Sequence, residues 1–452
     1  MSRLKRILCL LLCLVAVLAV AGCGLFPDRG NGGNGGNGGN GGNGGNGGTP
    51  PGGDDPVILE DNSGMPDSAY NLKTYLYPLW EGNTVYNETL WFASENYAPL
   101  LYEPERVLSV RSYDLKTTYT EGVDYVVDGN SIVLMDRSGI PLMPAGTFLS
   151  ATPLTSLAVA HVNGGYVYAN EGNDISLRQV VVTYTHAGTR SWTLPREETE
   201  KFPKTMQKLE NGESIKIVFY GDSITVGANS SEFLGCAPHA ESYANMVKSY
   251  ITARYPQANV QFANTAVGGT DSNWGNNVKT GIPAIDDIAV PEGVNGDHFR
   301  TRVLNENPDL LFIAYGMNDQ SASPYLPATG TSKSYQQNIR EMIQKVRAQN
   351  PDVEIMLISG MIANPDTGFY NKDYEEYQNA LSELCEEFEN VGLATTLNTV
   401  RSVYALDDNG GNGKRFRDCT ANNVNHPNDF MMRVYAQTVV YSLFGEDYID
   451  HI

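Results

Sequence analysis

From Ile215 onward, short runs that are apolar throughout alternate with longer runs that are apolar on one face only. IKIVFYG (215–221), NVQFANTAV (259–267), DLLFIAYG (309–316) and VEIMLISG (353–360) are of the first kind. ESYANMVKSYITARYP (241–256), SYQQNIREMIQKVRAQN (334–350) and KDYEEYQNALSELCEEFENVG (372–392) are of the second, and DFMMRVYAQTVVYSLF follows near the end of the chain. Runs apolar on both faces predict buried strands, and the others predict amphipathic helices. Strands that alternate with helices predict a parallel sheet covered on both sides, here an α/β domain over 212–452.

Upstream the period changes to two. TLWFA (89–93), RVLSVRSYD (106–114), VDYVV (123–127), SIVLM (131–135) and LRQVVVTYTH (177–186) read as strands, with a hairpin at Asp128-Gly129-Asn130. Short strands at this spacing predict an all-β sandwich, jelly-roll-like, over 56–205. The polar stretch 191–214 marks the boundary between the two halves.

The first residues are of a third kind. MSRLKR followed by ILCLLLCLVAVLAVAG has the plan of an export signal, too short to be read as a membrane span. Val20-Ala21-Gly22-Cys23 resembles the bacterial lipobox, which implies cleavage after residue 22, lipidation of Cys23, and anchoring of an exported protein to the cell envelope or cell surface. Six copies of NGG (31–48) follow, too glycine-rich to hold a packed structure, so residues 23–55 are expected to form a lipidated, flexible linker. About 30 such residues reach about 30 Å.

Composition narrows the function classes. With 31 Lys+Arg against 52 Asp+Glu, the chain has a formal charge of -21 and lacks the basic surface that nucleic acid requires. Beyond the leader and Cys23, Cys236, Cys385 and Cys419 remain, an odd number without CxxC spacing, which indicates neither a metal site nor a disulfide framework. No metal or other cofactor is expected.

Sites in parallel sheets lie beyond the carboxyl ends of the strands. The first strand ends in Gly221-Asp222-Ser223, the second in Asn264-Thr-Ala-Val-Gly268-Gly269, and the third in Gly316-Met317-Asn318-Asp319; His426-Pro427 follows near the end of the chain. In this order the four blocks resemble the SGNH/GDSL hydrolase superfamily over roughly residues 215–445. The resemblance implies a flavodoxin-like three-layer α/β/α fold. It also implies that Ser223 is the nucleophile and His426 its general base. The N–H groups of Ser223 and Gly269, with the Asn318 amide, would form the oxyanion hole. A serine hydroxyl needs such a base, and a tetrahedral oxyanion needs preorganised donors.

The usual Asp three residues before the histidine is absent. Asn423 stands there, leaving the imidazole to be oriented by Asn423, by a backbone carbonyl, or by Asp418 folding back. Asp429 is expected to cap the helix after His426, and Asp222 to brace the nucleophile turn. His161, His186, His239, His298 and His451 are expected to be structural. Trp274, Tyr315 and Met317 are read either as cleft walls or as core. Two-domain carbohydrate esterases with an N-terminal β-sandwich give the nearest analogy. They suggest hydrolysis of acetyl esters on an oligo- or polysaccharide, with acyl transfer from the same site, or a relict glycan-binding surface lipoprotein, as alternatives.

Overall fold

The computed structural model describes residues 70–188, 190–294, 296–321, 330–368, 373–404 and 414–451; the predicted leader, Cys23 and the NGG linker lie outside the described residues. In the strand Ser214–Gly221, Ile217 and Phe219 point to one face of the sheet, and Val218 and Tyr220 to the other. Leu310–Ala314 does the same, with Phe312 stacked on Phe219 at 4.0 Å between ring centroids. Each face therefore needs its own cover. Helices Tyr243–Arg254 and Asp429–Phe444 supply one, and Ser332–Gln349 and Tyr374–Glu387 the other.

Five parallel strands make this sheet, in the spatial order Asn259–Asn264, Ser214–Gly221, Leu310–Ala314, Glu354–Ile358, Val391–Ala394. By sequence this is 2-1-3-4-5, the flavodoxin-like order, whose switch point lies beside the first strand. The fifth strand corrects the expected helix over 372–392, which stops at Glu387. Its four residues, VGLA, are buried and too few to show a period of their own.

Among the described residues, the N-terminal half forms three antiparallel sheets. The largest orders Thr84–Trp91, Gln179–Thr185, Arg106–Ser112 and Thr118–Tyr119. A second joins Tyr97–Pro99, Ser131–Leu134 and Tyr125–Asp128; Asp128 pairs with Ser131 across the expected hairpin, where Gly129 takes φ +55°. The third, of two-residue strands, carries Tyr166–Val167 at its centre. Within 191–214, expected to be a polar boundary, Pro203–Glu210 forms a helix.

Thr84–Trp91 and Gln179–Thr185 are buried along their whole length, unlike a sheet with a solvated face. The α/β half covers them. Asp429–Phe444 is likewise buried at every residue, wedged between the parallel sheet and the β half. One apolar cluster runs through both halves, and buried polar groups are set into the seam. Lys414 and Glu88 form a salt bridge of 2.7 Å with both side chains fully buried. Glu88 also accepts from Leu101 N–H at 2.8 Å and Tyr184 O–H at 2.7 Å, and Lys414 donates to Thr89 O at 2.6 Å.

Breaking a buried pair by removing one partner strands the other charge. Lys414→Met should lower stability to urea unfolding by about 3–5 kcal/mol. Adding Glu88→Gln to that variant should restore part of the loss, because the carboxylate no longer needs its counter-ion.

Candidate active site

Gly221 ends the first strand where a side chain has no room: a Cβ there would lie 2.4 Å from Ala314 O and 2.6 Å from Thr225 Oγ1. The chain then turns into the short helix Ser223–Val226, capped by Asp222, whose carboxylate accepts from Ile224 N–H at 2.9 Å. Burial pushes the Asp222 carboxyl up to about 7; hydrogen bonds from Ile224 and Thr225 N–H and the charge of His426 oppose this. Asn264 Nδ2 donates to Thr225 O at 2.7 Å, tying the turn to the second strand. Ser223 thus sits at the switch point.

Gly269 follows the second strand with φ +78°, the left-handed region that favours glycine. A Cβ there would meet only Ile288 Cδ1, at 4.0 Å, so conformation rather than space calls for glycine. Beyond the third strand, Asn318 Nδ2 donates to Thr270 O at 2.8 Å. One N–H of an amide group is thereby spent on orientation, and the second is left for a ligand. Asp319 binds the loop after the second strand by accepting from Ser272 N–H at 3.2 Å, and burial, followed by the charge of Asp271, raises its carboxyl to about 8. The loops carrying Gly269 and Asn318 are therefore cross-braced.

The segment DCTANNVNHPND is knotted by amide side chains. Asn422 Oδ1 accepts from the backbone N–H groups of Val424 (3.0 Å), Asn425 (3.0 Å) and His426 (2.9 Å). Ala421 N–H donates to His426 O at 2.9 Å, closing the loop. His426 Nε2 then lies 3.0 Å from Ser223 Oγ, with both residues buried.

The other ring nitrogen departs from expectation. Asn423 takes φ +59° and faces away from the ring, donating to Tyr168 O at 2.9 Å and accepting from Asn364 Nδ2 at 3.1 Å. Asp418 is fully buried and committed elsewhere: it accepts from Trp91 N–H at 2.6 Å and pairs with Arg415 at 2.9 Å. Burial raises its carboxyl, but the Arg415 and Lys414 charges outweigh this and hold it below its ordinary range. Neither residue orients His426, nor does a backbone carbonyl among the described residues. Nδ1 lies 2.6 Å from Asn229 Oδ1 and 3.3 Å from Glu171 Oε2.

Both atoms are acceptors, so the Nδ1 position carries the proton and Nε2 presents its lone pair to the Ser223 hydroxyl. The Asn229 amide is itself oriented, because its Nδ2 donates to Gly172 O at 3.1 Å. Sequence reasoning missed both residues. Asn229 looks like part of a small-residue turn in GANSS, and Glu171 like a surface acid in NEGND.

Further expectations are settled by packing. Asn428, not Asp429, caps the following helix, accepting from Met431 N–H at 3.1 Å; Asp429 instead accepts from Ser231 N–H at 2.9 Å. Trp274, Tyr315 and Met317 are all buried, and Trp274 stacks on His298 at 4.0 Å. Cys236, Cys385 and Cys419 are free thiols.

Residues 219–434 match the model of the GDSL-like Lipase/Acylhydrolase family. No curated protein matches the chain. Among solved structures it is similar to a two-domain esterase (CEX) active on acetylated mannans, co-crystallised with mannopentaose. The identity is 20%, the TM-score 0.38, and the match covers 55% of this chain and 54% of that one. An acetylxylan esterase from Geobacillus stearothermophilus matches at 16% identity and TM-score 0.37, over 51% of this chain and 94% of that one. The acetyl xylan esterase AlAXEase matches at 20% identity and TM-score 0.36, over 51% and 100%. The chain spans about half the length of the two-domain esterase, 54% of it.

The Asp222 carboxyl, at about 7, supplies a stability test that does not depend on activity. In the unfolded chain an Asp ionises near its ordinary value, so wild type loses stability as pH rises from about 4 through 7. Asp222→Asn, which can still cap the helix, has no such loss. Urea unfolding at pH 5 and pH 8.5 should show the variant gaining about 1 kcal/mol or more on wild type at the higher pH. An equal difference at both pH values would refute the desolvated charge.

Proposed function

We propose that this chain, whose residues 219–434 form a GDSL-type hydrolase domain, is a serine esterase that removes acetyl and other short acyl groups from the hydroxyls of a carbohydrate. The observation that carries the reading is the 3.0 Å contact between Ser223 Oγ and His426 Nε2, with Nδ1 held by acceptors on the far side of the ring. A hydroxyl so placed can give up its proton as it attacks an acyl carbon.

The steps follow from the site. Ser223 Oγ bonds to the acyl carbon while its proton passes to His426 Nε2. The carbonyl oxygen becomes an oxyanion, for which the N–H groups of Ser223 and Gly269 and the free Asn318 N–H are the donors. Collapse of the tetrahedral species breaks the bond to the sugar oxygen, which takes the proton from His426. Water, giving a proton to His426 Nε2, then bonds to the acyl carbon, and collapse releases the acid as Ser223 Oγ takes that proton back. If a second sugar hydroxyl took the place of water, the same site would transfer the acyl group, and product analysis with an oligosaccharide acceptor separates the two outcomes.

The substrate class rests on how the chain is organised. A leader ending in a lipobox, a glycine-rich tether and a β domain ahead of the hydrolase domain suit an enzyme held at the cell envelope and meeting polymeric substrate outside the cell. Acetylated mannan, xylan, pectin and peptidoglycan are the substrates to compare, with acetate release as the measurement.

Three outcomes are expected. Ser223→Ala should abolish hydrolysis of p-nitrophenyl acetate, and activity surviving in that variant would refute the acyl-serine route. Asn318→Ala should lower kcat about 10²–10³-fold with little change in KM, as for the loss of one oxyanion donor. For the anchor, Cys23→Ser should move the chain from the membrane fraction to the soluble fraction and remove its lipid label; a membrane-bound, unlabelled wild type would refute lipidation.

A further inference from the structure

Glu171 belongs to the β half of the chain, between the strand Tyr166–Val167 and the turn Ser176–Arg178. Its carboxylate nonetheless lies in the catalytic site. Oε2 is 3.3 Å from His426 Nδ1, and Oε1 accepts from Asn422 Nδ2 at 3.2 Å. Because Asn422 Oδ1 is occupied by three backbone N–H groups of the histidine loop, its Nδ2 is fixed toward Glu171. The loop that delivers Glu171 is pinned to the α/β half at two further points: Asn423 Nδ2 on Tyr168 O, 2.9 Å, and Asn229 Nδ2 on Gly172 O, 3.1 Å.

The nearest acceptor of the Nδ1 proton, Asn229, is a neutral amide. It fixes the tautomer, but it offers no full charge to the imidazolium that forms when Ser223 loses its proton. Resting on the esterase reading above, we propose that Glu171 is the positioning residue that supplies this charge, so that the catalytic site is completed only by the β domain. The role of a triad carboxylate is thereby divided, with orientation from Asn229 and negative charge from Glu171.

Burial raises the Glu171 carboxyl, but the His426 charge and hydrogen bonds from His426, Asn422 and Asn229 hold it below its ordinary value, so it is ionised at working pH. Among the described residues, Asp222 on the Ser223 turn also interacts with the His426 charge. Asp222 is common to all the variants below, so differences among them report Glu171.

Full-length Glu171→Gln and Glu171→Asp separate charge from shape. Gln keeps the shape and removes the charge, whereas Asp keeps the charge and shortens the arm. With p-nitrophenyl acetate, Glu171→Gln should lower kcat about 10- to 100-fold with KM little changed, less than a full triad disruption because Asn229 still sets the tautomer. The acid limb of its kcat/KM profile should move to lower pH, since an anion that favours the imidazolium is gone. Glu171→Asp should keep more activity than Gln, and an acid limb near that of wild type.

A Gln variant with wild-type kcat and an unmoved acid limb would overturn the inference, as would a Gln variant milder than Asp. Loss of activity in both variants without movement of the limb would mean a structural role for Glu171, and would also overturn it. These outcomes leave the esterase reading standing as long as wild-type Ser223 reacts with a fluorophosphonate probe. A wild-type chain inert to both probe and ester would overturn that reading, and this inference with it.

Discussion

The ion pair between Lys414 and Glu88 is the point on which the two halves of the molecule are hung. Both side chains are fully buried, and a charge taken out of water at that depth must have its partner and its remaining hydrogen bonds in place. The β half meets that demand with Leu101 N–H, Tyr184 O–H and Thr89 O. Glu88 and Thr89 lie on the strand Thr84–Trp91, whereas Lys414 opens the segment that ends at His426. Register between strand and segment is therefore fixed at the catalytic loop itself.

The remaining contacts follow from that register. Thr89 Oγ1 donates to Asp418 O at 2.5 Å, and Trp91 N–H to the Asp418 carboxylate. Gln179 on the neighbouring strand donates to Thr420 O at 2.9 Å, and Asn428 donates to Gln179 Oε1 at 3.1 Å. The histidine loop has little regular structure of its own, and its backbone groups must be satisfied by something. Asn422 satisfies part of them from within, and the β half supplies much of the rest. Asp418, considered from sequence as a support for His426, belongs to this seam instead.

Sequence reasoning reached the parallel sheet because its central strands are covered on both faces, so IVFY, LLFI and EIMLI contain almost nothing polar. Ser223, Gly269 and Asn318 were legible as candidates because they follow successive strand ends, where sites in parallel sheets lie, and because the blocks around them resemble a known family. The short strand Val391–Ala394 was hidden behind the acidic helix that precedes it. What holds His426 was hidden more deeply. Asn229 is 197 positions from it, and the Asn-rich loop offers several nearer amides. Only the fold shows that Asn423, at the customary spacing, turns its side chain to Tyr168 and Asn364. The backbone at Asn423 is left-handed there, φ +59°.

That displacement leaves the His426 ring to be held from elsewhere. With Asn423 turned away, the space beside Nδ1 is bounded by the nucleophile's own loop, through Asn229, and by the β domain, through Glu171. The closer position, 2.6 Å from Nδ1, is held by an uncharged amide. The carboxylate stands farther off, at 3.3 Å, with 32% of its side chain exposed. A charge at that exposure is screened by water more than a buried triad Asp would be. Burial raises both carboxyls, but at Glu171 the His426 charge and hydrogen bonds from His426, Asn422 and Asn229 outweigh it, whereas Asp222 is raised to about 7 beside the same ring. A carboxylate buried as deeply as Asp222 would itself tend to hold a proton near neutral pH and fail to counter the imidazolium. Hydrogen bonds and the ring's own charge keep the Glu171 anion ionised at the domain seam, while the Asn229 amide maintains the geometry.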